Sequence, residues 1–156
     1  MHTEDTPVAD AAARRAAWMR VLALAEPAAL DQAVQALGPL PPHSTLRPAE
    51  SGMAMVRARS GGTGAQFNLG EMSITRCAVT LESGTMGVAY VPGRARRHAE
   101  RAAVLDALLQ RGDWHDRIQA GVIAPLARAH AERARHQARV AAQTQVEFFT
   151  MVRGED

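Results

Sequence analysis

Apolar residues recur along this chain with two different periods, and the change of period divides it into three parts. Residues 11–25 are rich in Ala, with Leu, Met and Trp and few breakers, and Trp18, Leu22 and Ala25 fall on one helical face. Pro27 suits the first position of a new helix, and residues 28–37 continue one until Gly38-Pro39 stops it. Pro39, Pro41 and Pro42 stiffen the connection after it, so the N-terminal part is predicted to be a helical hairpin. In the middle the period drops to two. Residues 53–59 alternate weakly, with Arg57 and Arg59 on one face and Val56 and Ala58 on the other. Residues 73–81 alternate more clearly, Ile74, Arg76, Ala78 and Thr80 opposing Thr75, Cys77, Val79 and Leu81. Glu82-Ser83-Gly84-Thr85 is a turn, and residues 86–91 return as a third strand. Loops this short predict an antiparallel meander and not a βαβ unit.

The helical period then resumes. Residues 95–110 carry His98, Ala102, Leu105 and Leu109 on one stripe, with Gly112 as the stop and Asp113 as a cap for a short helix at Trp114. Residues 118–144 read as one Ala- and Arg-rich helix with a kink or break at Pro125. Its inner stripe, Leu126, Ala129, Arg133, His136 and Val140, is too poor in aliphatics to bury much within a monomer. The predicted fold class is α+β: a small antiparallel meander packed with an N-terminal helical hairpin and C-terminal helices. Residues 1–9 are expected to be a disordered lead and 10–156 a single domain. Its end, about 146–154, holds two of the three phenylalanines. Such a tail is expected to dock in a groove through Phe148, Phe149, Met151 and Arg153.

Composition narrows the chemistry. With 47% apolar and 22% charged residues this is an ordinary globular chain, with no apolar run long enough to span a bilayer. No apolar signal segment is visible near Met1, and there is a single cysteine, Cys77, so a cytoplasmic protein without an intrachain disulfide is expected. All 18 basic residues are arginine, which excludes Schiff-base lysines and a P-loop lysine. The net charge of +2 hides an asymmetry: residues 94–139 hold ten arginines against five carboxylates. A basic half suits an anionic ligand or an acidic partner, and equally a solvated helix surface.

Two turns concentrate the candidate chemistry. Arg59 precedes Gly61, Gly62, Thr63 and Gly64, a glycine loop that reads either as a plain turn or as a backbone nest for phosphate oxygens. No Gly-Lys-Ser/Thr follows, so it is not a Walker loop. Arg94, Arg97, His98 and Arg101 lie at or near a helix N-terminus, where cations are disfavoured unless an anion compensates. His98 also lies on the inward stripe, where a hydrogen-bonded core histidine is the simpler reading, and Glu100 has arginines nearby to pair with. Arg76 adds a further cation on a strand. The six histidines show no i, i+4 pair and no cysteine partner, so no metal site is expected. No nucleophile–base set is visible. The chain therefore reads as a subunit. A stand-alone phosphate-ester enzyme and a small basic nucleic-acid module are the alternatives, and the latter would rest on Tyr90 as the strand aromatic.

One resemblance covers nearly the whole chain. Its carriers begin with Arg47-Pro48-Ala49-Glu50-Ser51-Gly52, Ala58-Arg59-Ser60-Gly61-Gly62-Thr63-Gly64, Thr75-Arg76, Gly84-Thr85-Met86-Gly87 and Gly93-Arg94. They continue with His98-Ala99-Glu100-Arg101, Asp106-Ala107-Leu108, Ile123-Ala124-Pro125-Leu126 and Phe148-Phe149-Thr150-Met151-Val152-Arg153-Gly154. In this order they resemble the PhnG family of the bacterial carbon–phosphorus lyase system. The resemblance implies a subunit acting with PhnH, PhnI and PhnL-like proteins. Together these displace adenine from ATP with methylphosphonate, giving a ribose 1-phosphonate 5-triphosphate. It also implies a core assembly that includes PhnJ, whose S-adenosylmethionine and iron–sulfur cluster break the C–P bond. This chain alone is expected to bind no cofactor, no membrane and no nucleic acid. No catalytic residue carries over. Arg59, the Gly61–Gly64 loop, Arg76, Arg94, His98 and Glu100 are expected to contact phosphate, substrate or a partner. In isolation such a chain is able to exchange its terminal elements with a second copy.

Overall fold

The computed structural model describes residues 6–143 of the chain. The tail with Phe148, Phe149, Met151 and Arg153 lies outside the described residues. Helix α1 spans Thr6–Leu24, so residues 6–9, expected to be disordered, belong to the helix. Glu26 is extended and breaks it, and α2 (Pro27–Leu37) starts on Pro27 and ends at Gly38, whose φ of 82° only glycine adopts freely. Leu30, Val34 and Leu37 form the buried stripe of α2, and Trp18 and Leu22 are buried from α1. The two helices do not form the expected hairpin. Each packs separately onto α3 (Arg96–Leu109), α1 also meeting β3 and α2 also meeting the turn before α5.

The described strands form one antiparallel sheet in the order β1 (His43–Arg59), β2 (Gln66–Leu81), β3 (Met86–Pro92). The meander is as expected, but β1 begins ten residues earlier than the alternation suggested. That proximal half, from His43 to Glu50, contains Pro48 and two register shifts, which hide a period of two. Thr75, Cys77, Val79 and Leu81 of β2 face the helices, with Ala89 and Val91 beside them.

Helix α3 is the centre of the core. From Ala102 to Leu109 every residue is buried, so the single stripe expected there is a helix enclosed on all sides. It lies so close to β3 that a Cβ on Gly87 would stand 2.0 Å from the Ala103 carbonyl oxygen and 2.6 Å from the Ala107 nitrogen. Gly112 does not stop the chain but opens α4 (Gly112–Ile118), and Asp113 is held by Arg111 at 2.7 and 2.9 Å in place of capping. A π turn, Gln119–Ile123, precedes α5 (Ala124–Gln143). Pro125 has no N–H for the helical bond, and the widened turn beside it absorbs that loss. Only Leu126 of α5 is buried, and residues 131–143 are exposed throughout, as its lean stripe predicted.

Cys77 lies in this core, 2% exposed, with its Sγ directed at the Arg47 carbonyl. Burial, and next the charge of Glu100, push its thiol above the ordinary value of 9.0. The folded chain therefore holds the proton more tightly than the unfolded one. That contribution is complete below pH 9 and is lost as pH rises through the folded value. The stability gap between the native chain and Cys77→Ala is expected to narrow above pH 9 in urea titrations. At pH 8 a thiol reagent is expected to label Cys77 only as fast as the protein opens.

Candidate functional site

The β3–α3 junction is built around a hydroxyl. Thr75, fully buried, donates to the Gly93 carbonyl at 2.7 Å and accepts from the Ala95 N–H at 3.1 Å, with Ser51 Oγ at 2.9 Å. Gly93 turns with φ of 80°. These bonds fix the start of α3, whose N-terminal residue Ala95 supplies no side-chain cap and whose first turn has no carboxylate. The positive end of the helix dipole is thus left uncompensated. Arg94 and Arg96, both exposed, line an open cavity of about 450 Å³ there with Ser51, Gly52 and Met53. Neither guanidinium has a hydrogen bond or ion pair among the described residues. Guanidinium forks at a helix start form a setting in which an oxyanion is favoured.

The rest of the predicted cluster is dispersed. Arg97 and Arg101 turn to Asp31 of α2, Arg97 at 3.5 Å. His98 is not an open contact residue: it is buried, and its Nε2 lies 2.7 Å from the Leu22 carbonyl, tying α3 to α1. Glu100 is exposed and pairs with no arginine among the described residues. Arg76 sits on the outer sheet face opposite Tyr90, held by Glu50 at 2.7 Å. Hydrogen bonds from Arg47 and then Arg76 hold the Glu50 carboxyl below its ordinary range. Arg76 is therefore already neutralised, and at an exposed site such a pairing adds little stability.

The glycine loop lies farther off. Ser60–Gly62 form a single 3₁₀ turn at the tip of the β1–β2 hairpin, and Arg59 donates to the Gly64 carbonyl at 3.0 Å. Gly62 takes a φ of 81°, and a Cβ on Gly64 would stand 2.9 Å from the Ser60 carbonyl oxygen. Gly62 and Gly64 are thus explained by the turn itself. From Gly52, beside Arg94, seven residues of strand lead to Arg59, about 23 Å at 3.3 Å per residue. Arg59 and Arg94 do not converge on one small anion within a single chain.

Sequence reasoning missed two features. Asp106 is fully buried and accepts four hydrogen bonds: from Arg15 Nε at 3.1 Å and a second Arg15 nitrogen at 2.7 Å, from Trp18 Nε1 at 2.9 Å, and from the Val88 N–H at 3.0 Å. Those bonds push the Arg15 guanidinium further above its ordinary value. The signal available was an aspartate amid an apolar helical run. Phe67 was also overlooked as a strand aromatic: it lies in β2, half exposed, as does Tyr90 in β3. The two are about 25 Å or more apart along β2, too far to stack neighbouring bases. No helix among the described residues is long and apolar enough to cross a membrane.

Comparison with known proteins places the chain in a family. The family model of the phosphonate metabolism protein PhnG matches residues 13–154. The chain belongs to the PhnG family. A PhnG relative from Rhizobium meliloti (strain 1021), alpha-D-ribose 1-methylphosphonate 5-triphosphate synthase subunit PhnG, is 40% identical over 144 residues, covering 92% of each chain.

Proposed function

We propose that this chain is a non-autonomous subunit of an assembly that joins the ribose triphosphate part of ATP to methylphosphonate with release of adenine, in phosphonate degradation. The observation that carries the reading is the 40% identity, over 92% of both chains, to a relative named as a subunit of that synthase. The shape is consistent with it: α5 leaves residues 131–143 exposed, and the β1–β2 hairpin extends beyond β3. Both would gain burial against other chains. The partners proposed are PhnH-, PhnI-, PhnJ- and PhnL-like proteins. ATP enters as substrate, and S-adenosylmethionine with its iron–sulfur cluster belongs to the PhnJ-like subunit. This chain supplies mainly architecture, in the cytoplasm, and contributes anion contacts at the α3 start.

Within that role Arg94, with Arg96, is the candidate phosphate contact. His98 is a structural residue, and Arg59 with the glycine loop belongs to a separate surface. Co-expression of the tagged chain with PhnH-, PhnI- and PhnJ-like proteins, followed by native mass measurement, is expected to give a stoichiometric complex. The isolated chain is expected to show no turnover. In the complex, with the PhnL-like protein added, Arg94→Ala should leave the mass unchanged and lower kcat/KM for phosphonate about ten- to a hundredfold, the loss of one charge-assisted contact of about 1.5–3 kcal/mol. Unchanged kcat/KM in an intact complex would remove the contact role. Failure to assemble would remove the subunit reading.

A further inference from the structure

The outer edge of β1 is treated differently along its length. Its first half carries Pro48, register shifts at Thr45/Arg47 and Arg47/Glu50, and the Arg47–Glu50 ion pair. These are the devices that keep an edge strand from pairing with another chain. The second half, residues 51–59, has no proline and keeps consecutive pairing from Ser51 to Val56. The one shift there inserts its extra residue, Leu69, on β2. Among the described residues no strand lies along its outer edge. Beyond Ile74, the last β2 residue paired with β3, only β1 and β2 remain, a two-stranded ribbon of a kind that is marginal in water by itself.

The side chains of this ribbon sort by face. Gly52, Ala54, Val56 and Ala58 lie on the outer side, where the pairings Ala54–Met72 and Ala58–Phe67 set two large apolar groups, 38% and 46% exposed, beside them. Met53, Met55, Arg57 and Arg59 lie on the other side, both methionines more than half exposed. Arg57 has no partner among the described residues, and Arg59 meets only the Gly64 carbonyl. Glu71, opposite Met55, pairs with neither.

We propose that residues 51–59 receive an extended strand from a different subunit of the assembly. That strand carries apolar side chains at alternate positions, over the Ala54–Val56–Met72–Phe67 face, and carboxylates facing Arg57 and Arg59. Main-chain pairing supplies affinity in such strand addition, and the alternate side chains supply selectivity. Charge decides between a foreign strand and a second copy. Pairing two copies of residues 51–59 would place four guanidinium groups on one ribbon, and this segment contains no carboxylate to meet them. The inference rests on the subunit reading.

The test is hydrogen exchange on the chain alone and in the complex with PhnH-, PhnI- and PhnJ-like proteins, joined to the double variant Arg57→Glu/Arg59→Glu. Exchange in residues 51–59 is expected to slow about tenfold or more in the complex, while residues 43–50 change little. The double variant is expected to fold, by circular dichroism and thermal midpoint, yet to co-purify with its partners about tenfold less well. A stoichiometric complex whose residues 51–59 exchange as in the free chain overturns the proposal and leaves the subunit reading standing. So does slow exchange there in the isolated chain, whether a monomer using its own residues or a dimer. Absence of any complex overturns both.

Discussion

Gly87→Ala is expected to cost about 3 kcal/mol or more, a large share of the roughly 5–15 kcal/mol that keeps a domain folded. The added methyl would sit 2.0 Å from the Ala103 carbonyl oxygen and 2.6 Å from the Ala107 nitrogen. Both are backbone atoms of α3, so no side-chain rotation relieves the clash. Helix and strand would have to separate along a contact where Ala99, Ala103 and Ala107 are all fully buried. Gly84→Ala is the control. Gly84 turns with φ of 83° in open space, so its substitution meets only the left-handed backbone penalty, about 1–2 kcal/mol. Urea midpoints for the two variants separate the mechanisms. Equal losses would mean that the β3–α3 spacing is not set by Gly87.

That contrast also marks what could be read in the sequence. The turn role of Gly84 was legible, since Glu82-Ser83-Gly84-Thr85 divides two alternating runs. The role of Gly87 was not, because close approach of a distant helix leaves no local trace. The strand faces were legible wherever β2 alternates, and the exposure of α5 followed from its lack of aliphatics. The first half of β1 escaped because its bulges break the period on which the reading depends. At the candidate site, Arg94, Arg97 and Arg101 were found from sequence and Arg96 was not. Their division was not legible either: Arg97 and Arg101 lie one turn apart and face α2, whereas Arg94 and Arg96 face the cavity. Which arginines are neutralised is decided by Asp31, more than sixty residues away, and sequence spacing cannot show it.

The second large effect concerns the buried carboxylate. Arg15→Met is expected to cost about 3–5 kcal/mol, because it strips the counter-charge from a carboxylate with no exposure to water. Asp106 would keep the Trp18 and Val88 donors, and two neutral donors do not replace a bidentate guanidinium. Asp106→Leu fails differently. Arg15, about one-third exposed, turns to solvent, whereas Trp18 Nε1 and the Val88 N–H lose their acceptor inside the core, at about 1–3 kcal/mol each. The double variant Arg15→Met/Asp106→Leu removes the stranded charge and should be less damaged than the sum of the single variants by at least about 1 kcal/mol. Chemical denaturation of the four proteins completes the cycle. Strict additivity would show that the ion pair is incidental and that Asp106 joins α1, α3 and β3 through its hydrogen bonds to Trp18 and Val88. A coupling of the expected size would place the junction of these three elements on a single buried charge pair, about one helix length from the Arg94 cavity that α3 presents at its other end.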